Sequence, residues 1–202
     1  MQNPEDSYKT ILEPSPLVLF KDRKSKFYAQ AFPLEVEEEV KPIIETLKKQ
    51  FPTANHYCYA WQLGINPIRQ RANDDGEPKN SAGQPILGQL QSFEVTNILV
   101  VVVRIFGGTK LGVGGLINAY RAAAELALKE VSIEEKTIEH QFQLQFEYPY
   151  MDRVMRLVKR LNLRVVSQKM EEKCTLLVAT PKSNAQKVLA AFQELHQVSI
   201  KD

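Results

Sequence analysis

A chain of 202 residues, 44% hydrophobic and 25% charged, is long enough for one large or two small cores and has the composition of an ordinary globular protein. Its formal charge of +2 excludes a wholesale basic protein but leaves RNA and small-molecule partners open. Two cysteines, Cys58 and Cys174, lie too far apart in sequence for a CxxC site and write no disulfide framework. No apolar run reaches the ~18 residues of a membrane span, and the N-terminus lacks the basic-then-apolar order of a signal peptide, so a reduced, cytoplasmic setting is expected.

In chain order, Tyr8 to Leu12 predicts a short strand, followed by a Pro-rich turn at residues 13–16. Lys24 to Phe32 alternates as a second strand. Val36, Val40, Ile43, Ile44 and Leu47 mark one face of a helix ending near Gln50, with acids early and lysines late as the helix dipole favours. His56 to Leu63 is a third strand, and residues 64–80 form a polar loop. Ser81 and Gln84 have capping-box spacing for a short helix, with Ile86, Leu87 and Leu90 inward.

The most organised stretch follows. Residues 98–106 are almost unbroken β-branched and apolar, the mark of a strand buried on both faces. Gly107, Gly108, Gly112, Gly114 and Gly115 then hold a lone cation, Lys110. Leu116, Ala119, Tyr120, Ala123, Ala127 and Val131 recur at helical spacing. A strand, a glycine loop and a helix in this order aim unpaired helix N–H groups at the loop, which suits a phosphate. Clustered glycines also serve tight turns alone, and neither a Walker A nor a GxGxxG pattern is present.

From His140 the pattern changes to β-α-β-β-α-β. Phe142, Leu144, Phe146 and Tyr148 alternate as a half-buried strand, and a helix carries Met151, Val154, Met155, Val158 and Leu161 inward. Two strands meet at the turn Glu171-Glu172-Lys173, Ser183 caps a last helix, and Val198 to Ile200 closes the set. The charged segment 132–139 is the expected boundary, giving domains at residues 1–135 and 136–202 and an α+β class. Residues 1–136 hold 16 Lys and Arg against 17 Asp and Glu, whereas residues 137–202 hold 10 against 7. Arg153, Arg156 and Arg160, with Arg164 beyond, make a stripe that fits a solvated face or an RNA or protein contact.

Chemistry-bearing residues are few. Asp74, Asp75 and Glu77 around Gly76 fit a Mg²⁺ site, acid–base work, or an acidic turn before a helix. His56 and Cys58 share a strand face, but two ligands do not close a zinc site. No Ser-His-Asp or Cys-His nucleophile can be assembled, and no metal or cofactor is expected.

Taken together, Asp74-Asp75-Gly76-Glu77-Pro78 with Ser81-Ala82-Gly83 and Pro85, Arg104 with Phe106-Gly107-Gly108, Lys110-Leu111-Gly112, Gly114-Gly115-Leu116 and Ala119-Tyr120 resemble the signature of the YigZ/IMPACT family, as do His56 and Ala60 upstream. The resemblance covers residues from about 5 to 200. It implies a ribosomal protein S5 domain 2-like N-terminal domain and a ferredoxin-like C-terminal one, shapes also found in elongation factor G. It further implies a regulator of translation without an established enzymatic activity. Lys79-Asn80, Phe106 and Asn118 depart from the commonest family residues, and Asn118 removes an arginine beside the loop. The expected nucleic-acid or phosphate contacts are Arg104, Gly107, Gly108, Lys110, Gly112, Gly114, Gly115, Arg153, Arg156 and Arg160, with RNA or the ribosome as partner. His56, Asp74, Asp75, Glu77 and Tyr120 are family positions without an assigned role. Two other readings stay open: a metal-dependent hydrolase or phosphotransferase using both loops, and a protein-interaction module. An RNP-like set of aromatics is absent.

Overall fold

The structure, a computed structural model describing residues 6–201, divides into two compact units: residues 8–136, and residues 137–201 with Asp6 and Ser7. The first unit is built on a five-stranded antiparallel sheet. Its strands are β2 (Val18–Asp22), β3 (Ser25–Pro33), β4 (His56–Leu63), β5 (Arg69–Asn73) and β6 (Ile98–Ile105), in the order β2-β3-β6-β4-β5. The apolar run of β6 takes the centre because both of its faces are covered there. Ile98, Val100 and Val102 pack with α2 (Gly83–Ser92) and α3 (Gly112–Lys129), while Leu99, Val101 and Val103 pack with α1 (Val40–Gln50).

Three strands of this unit escape the sequence pattern: β5 and β7 are polar elements with little apolar alternation, and the apolar run of β2 is only Val18 to Phe20. Strand β5 lies inside the expected polar loop and pairs with β4, from Tyr59 opposite Asn73 to Leu63 opposite Arg69. Strand β7 (Ile133–Thr137) occupies the charged boundary segment and pairs with β1 (Ser7–Ile11). Strand β2 forms a hairpin with β3 through a turn at Arg23 and Lys24, both at positive φ (41° and 67°).

The second unit has the order β8 (Glu139–Phe146), α4 (Met151–Arg160), β9 (Arg164–Met170), β10 (Cys174–Pro181), α5 (Ala185–Gln193) and β11 (Ser199–Lys201). The strands lie in the order β11-β8-β10-β9. Phe142, Leu144, Phe146, Cys174, Leu176 and Val178 face Val154, Leu157 and Val158 of α4 and Val188 and Phe192 of α5. Three expectations are corrected here: Tyr148, expected as the inward end of the first strand, lies beyond β8 in a short 3₁₀ turn and is 55% exposed. Met155 is 39% exposed, because the apolar face of α4 is the narrower stripe Val154, Leu157 and Val158. Ser183 does not cap α5; its backbone N–H donates to Asp6 Oδ1 at 2.7 Å and its hydroxyl bonds Asp6 Oδ2, so the serine ties the chain at Asp6 instead.

Replacing Leu90 (0% exposed) by Ala is expected to lower unfolding free energy by about 2–5 kcal/mol, since a cavity is added to the lost transfer energy. The same change at Leu19, 38% exposed on the edge strand β2, should stay within about 0.5 kcal/mol. Urea denaturation of the two variants checks both.

Candidate functional site

Four segments of the first unit converge on a single carboxylate. Glu77 Oε1 accepts from Arg104 Nη1 at 2.6 Å and from Tyr120 Oη at 2.8 Å, and lies 3.9 Å from His56 Nε2. The Arg104 and Glu77 side chains are 7% and 4% exposed, so this ion pair stands in a low-dielectric setting. The pairing register explains the meeting. Arg104 sits opposite Phe27 on β3 and His56 on β4, and Tyr120 reaches down from the third turn of α3. The Arg104 guanidinium lies 5.5 Å from the ring centroids of both Phe27 and Phe106. Its Nε has no hydrogen-bond partner.

The remaining polar groups hold the loop 74–80 in place. Asp74 Oδ1 accepts from the N–H groups of Ala82 (3.0 Å) and Gly83 (2.8 Å), and its Oδ2 accepts from Asn80 N–H (2.8 Å). Asp74 therefore caps α2 from outside the helix. The capping box expected of Ser81 is replaced: its hydroxyl donates to Pro78 O at 2.6 Å. Asp75 Oδ2 accepts from Tyr57 N–H at 2.6 Å. His56 Nδ1 lies 2.8 Å from the Asp75 carbonyl, and since a carbonyl only accepts, that nitrogen carries a proton. Among the described residues no cluster of three or more His, Cys, Asp or Glu is placed to hold a metal ion.

Cys58 Sγ is 3.0 Å from Asp74 O and 3.3 Å from Tyr120 Oη, and its one proton serves one of them at a time. Burial pushes the Cys58 thiol far above its ordinary range, and burial likewise pushes Tyr120 up, with Cys58 and Glu77 adding to it. Both groups stay neutral at physiological pH, which removes the thiolate and the phenolate as nucleophile or base.

The glycine loop stands at the same end of the sheet. A Cβ at Gly107 would lie 2.0 Å from the backbone carbonyl carbon of Lys24, and Gly107 N–H donates to Ser25 Oγ at 3.2 Å. This glycine is required because the β2–β3 turn packs directly on it. Gly108 and Gly112 have φ of 86° and 73°, and Gly115 leaves room for Leu111. Gly114 is under neither constraint: a Cβ there would meet nothing and its φ is not positive, and it lies in the first turn of α3. Residues 108–110 and 112–114 are exposed on either side of the buried Leu111, and Lys110 makes no ion pair among the described residues.

The contact at Gly107 also brings in cations that sequence reasoning missed. Lys21, Arg23, Lys24 and Lys26 are exposed on the β2–β3 hairpin, whose tip abuts the loop that holds Lys110. The basic run at residues 21–26 was a visible signal; its juxtaposition with Gly107 was not. The arginine stripe lies in the other unit. Arg153, Arg156 and Arg160 are exposed and, with Leu157, Ala191, Glu194 and Leu195, line a groove of about 610 Å³ between α4 and α5. Arg164 leaves the stripe to pair with Glu139.

With this geometry the chain falls in the class of two-unit mixed α/β proteins built on antiparallel sheets. It belongs to the IMPACT family: the Impact N-terminal domain model matches residues 23–128. The chain is 31% identical over 180 residues to IMPACT family member YigZ of Escherichia coli strain K12, covering 88% of each chain. It is 36% identical over 96 residues to Protein IMPACT of Xenopus laevis, covering 45% of this chain and 30% of that one. A crystal structure described as that of a hypothetical protein superposes over 96% of each chain with a TM-score of 0.69 at 28% identity. No helix among the described residues is long and apolar enough to cross a membrane.

Glu77→Ala would strand the buried Arg104 charge and is expected to cost about 3–5 kcal/mol of stability. Tyr120→Phe, which removes one hydrogen bond to the same carboxylate, should cost about 0.5–1.5 kcal/mol. Chemical denaturation of both variants measures the ratio. In the folded protein Cys58 should resist a thiol-titrating disulfide reagent at pH 8, and it should react once urea unfolds the chain.

Proposed function

We propose that this protein is a regulator of translation that works by holding an RNA backbone, on or off the ribosome, against the end of the first sheet. The observation that carries the reading is the contact of the Arg23–Lys24 turn with Gly107. It gathers cations from two stretches of sequence around an open glycine loop and the bare N-terminus of an 18-residue helix. Helix N–H groups and lysines or arginines are what a phosphodiester needs, and such contacts position the partner without reading its bases.

Other features support the same reading. The family resemblance implies a translational role. The β-α-β-β-α-β unit with strand order β11-β8-β10-β9 supports a ferredoxin-like reading of the second domain. The five-stranded sheet with α2 and α3 on one face supports the S5 domain 2-like reading of the first. We place the domain boundary at Lys136–Thr137. Two buried, unpaired cysteines suit a reduced, cytoplasmic setting. The metal-dependent catalytic alternative is less favoured, because Asp74 spends both oxygens on backbone N–H groups, Asp75 Oδ2 accepts from Tyr57 N–H, and Glu77 Oε1 is engaged by Arg104 and Tyr120.

Fluorescence anisotropy with a labelled RNA over a series of KCl concentrations tests this. Affinity should fall steeply with salt, and Lys110→Ala should make the log–log slope shallower by about 0.7 for a single strand, one phosphate contact's worth. The double variant Arg23→Ala/Lys24→Ala should flatten it by roughly twice that. Absence of salt-dependent binding, together with absence of co-sedimentation with ribosomal subunits, would overturn the reading.

A further inference from the structure

Phe106 is a large aromatic side chain left 43% exposed at the mouth of the glycine loop. Its surroundings are unusually well fixed for a surface residue. Its backbone N–H donates to Asn55 Oδ1 at 2.9 Å, and the next residue is pinned to Ser25. Its ring rests on the Arg104 guanidinium, 5.5 Å from the centroid, within the ~6 Å range of a cation–π contact. That guanidinium is in turn held by Glu77 and by the Phe27 ring, and Phe27 meets Tyr120 edge-on at 5.2 Å. The result is a layered stack that starts in the core and ends on an exposed ring. Gly107 and Gly108 beside it carry no side chain, and a Cβ at Gly108 would meet nothing, so the approach to the ring is open.

We infer that Phe106 is a stacking platform for an unpaired nucleobase, so that the RNA held by this site is single-stranded. This rests on the RNA-backbone reading above and narrows its substrate class. Paired bases in a helix are already stacked on one another and cannot reach a ring on a protein surface, whereas an unstacked base has a free face. A pre-ordered ring loses little freedom when a base settles on it, and every base has such a face, so the contact favours single strands without choosing a sequence. Lys110 lies four residues further along the same loop and supplies the phosphate contact beside the stacked base.

The test compares a short unstructured RNA oligonucleotide with a blunt RNA duplex of matched phosphate number, each against wild type, Phe106→Ala, Phe106→Tyr and Lys110→Ala at one salt concentration. Wild type should prefer the single strand. Phe106→Ala should weaken single-strand binding roughly tenfold while leaving duplex binding unchanged. Phe106→Tyr should restore the preference. A 2-aminopurine base in the single strand should lose fluorescence on binding to wild type and keep it with Phe106→Ala, a readout that a structural defect elsewhere would not give. If Phe106→Ala binds the single strand as tightly as wild type while Lys110→Ala weakens both ligands, the platform is overturned and the backbone reading stands. If wild type binds neither RNA, the platform is overturned, and the backbone reading falls with it when co-sedimentation with ribosomal subunits is absent as well.

Discussion

The buried pair of Arg104 and Glu77 is the constraint on which the first unit depends. An arginine at the end of a fully apolar central strand is costly to desolvate, and the cost is offset only if its charge is met at short range. Glu77 meets it, and to do so the loop 74–80 must fold back over the end of the sheet. Other polar contacts hold the loop in the same place. Asp74 ties the loop to the start of α2, Asp75 ties it to Tyr57, and Tyr120 ties it to α3. Acidic residues that resemble a metal site are thereby engaged as scaffolding.

The same arginine faces outward through Phe106. A residue clamped by Glu77 inside and flanked by two aromatic rings transmits order from the core to the beginning of the glycine loop. Across from it, the β2–β3 turn sits on Gly107 because no side chain intervenes. The loop is thus fixed at its first two residues and open over the next several. That division suits a site whose base platform is rigid and whose backbone donors remain free for a ligand.

Much of this was legible in the sequence, for physical reasons that differ by element. Strand β6 announced itself by burial on both faces, and α3 by its helical period after the glycines. Strands β5 and β7 did not, because a polar strand needs a neighbour rather than an apolar pattern, and β2 did not because its apolar run is only Val18 to Phe20. The family residues Glu77, Arg104, Tyr120 and His56 could be named, but their common meeting point depends on register across β3, β6 and β4, which no local spacing records. Asp74 looked like a ligand because its partners are backbone N–H groups six to nine residues later, invisible as side-chain types. Arg23 and Lys24 were passed over because their closeness to Gly107 spans more than eighty positions. The β-α-β-β-α-β order was legible from the alternation of Phe142, Leu144 and Phe146 and of Cys174, Leu176 and Val178, whereas β9 is exposed along its whole length and carries no such pattern.

The central claim is that the partner of this protein lands on the open glycine loop and the hairpin beside it. Amide chemical-shift mapping of the ¹⁵N-labelled full chain with a short single-stranded RNA tests that claim most directly. The account predicts progressive, salt-sensitive shifts at Phe106 to Gly115 and at Arg23 and Lys24, with the buried residues of β6 unmoved. Shifts confined to the arginine groove of α4 and α5, or none at a saturating RNA concentration, would contradict it.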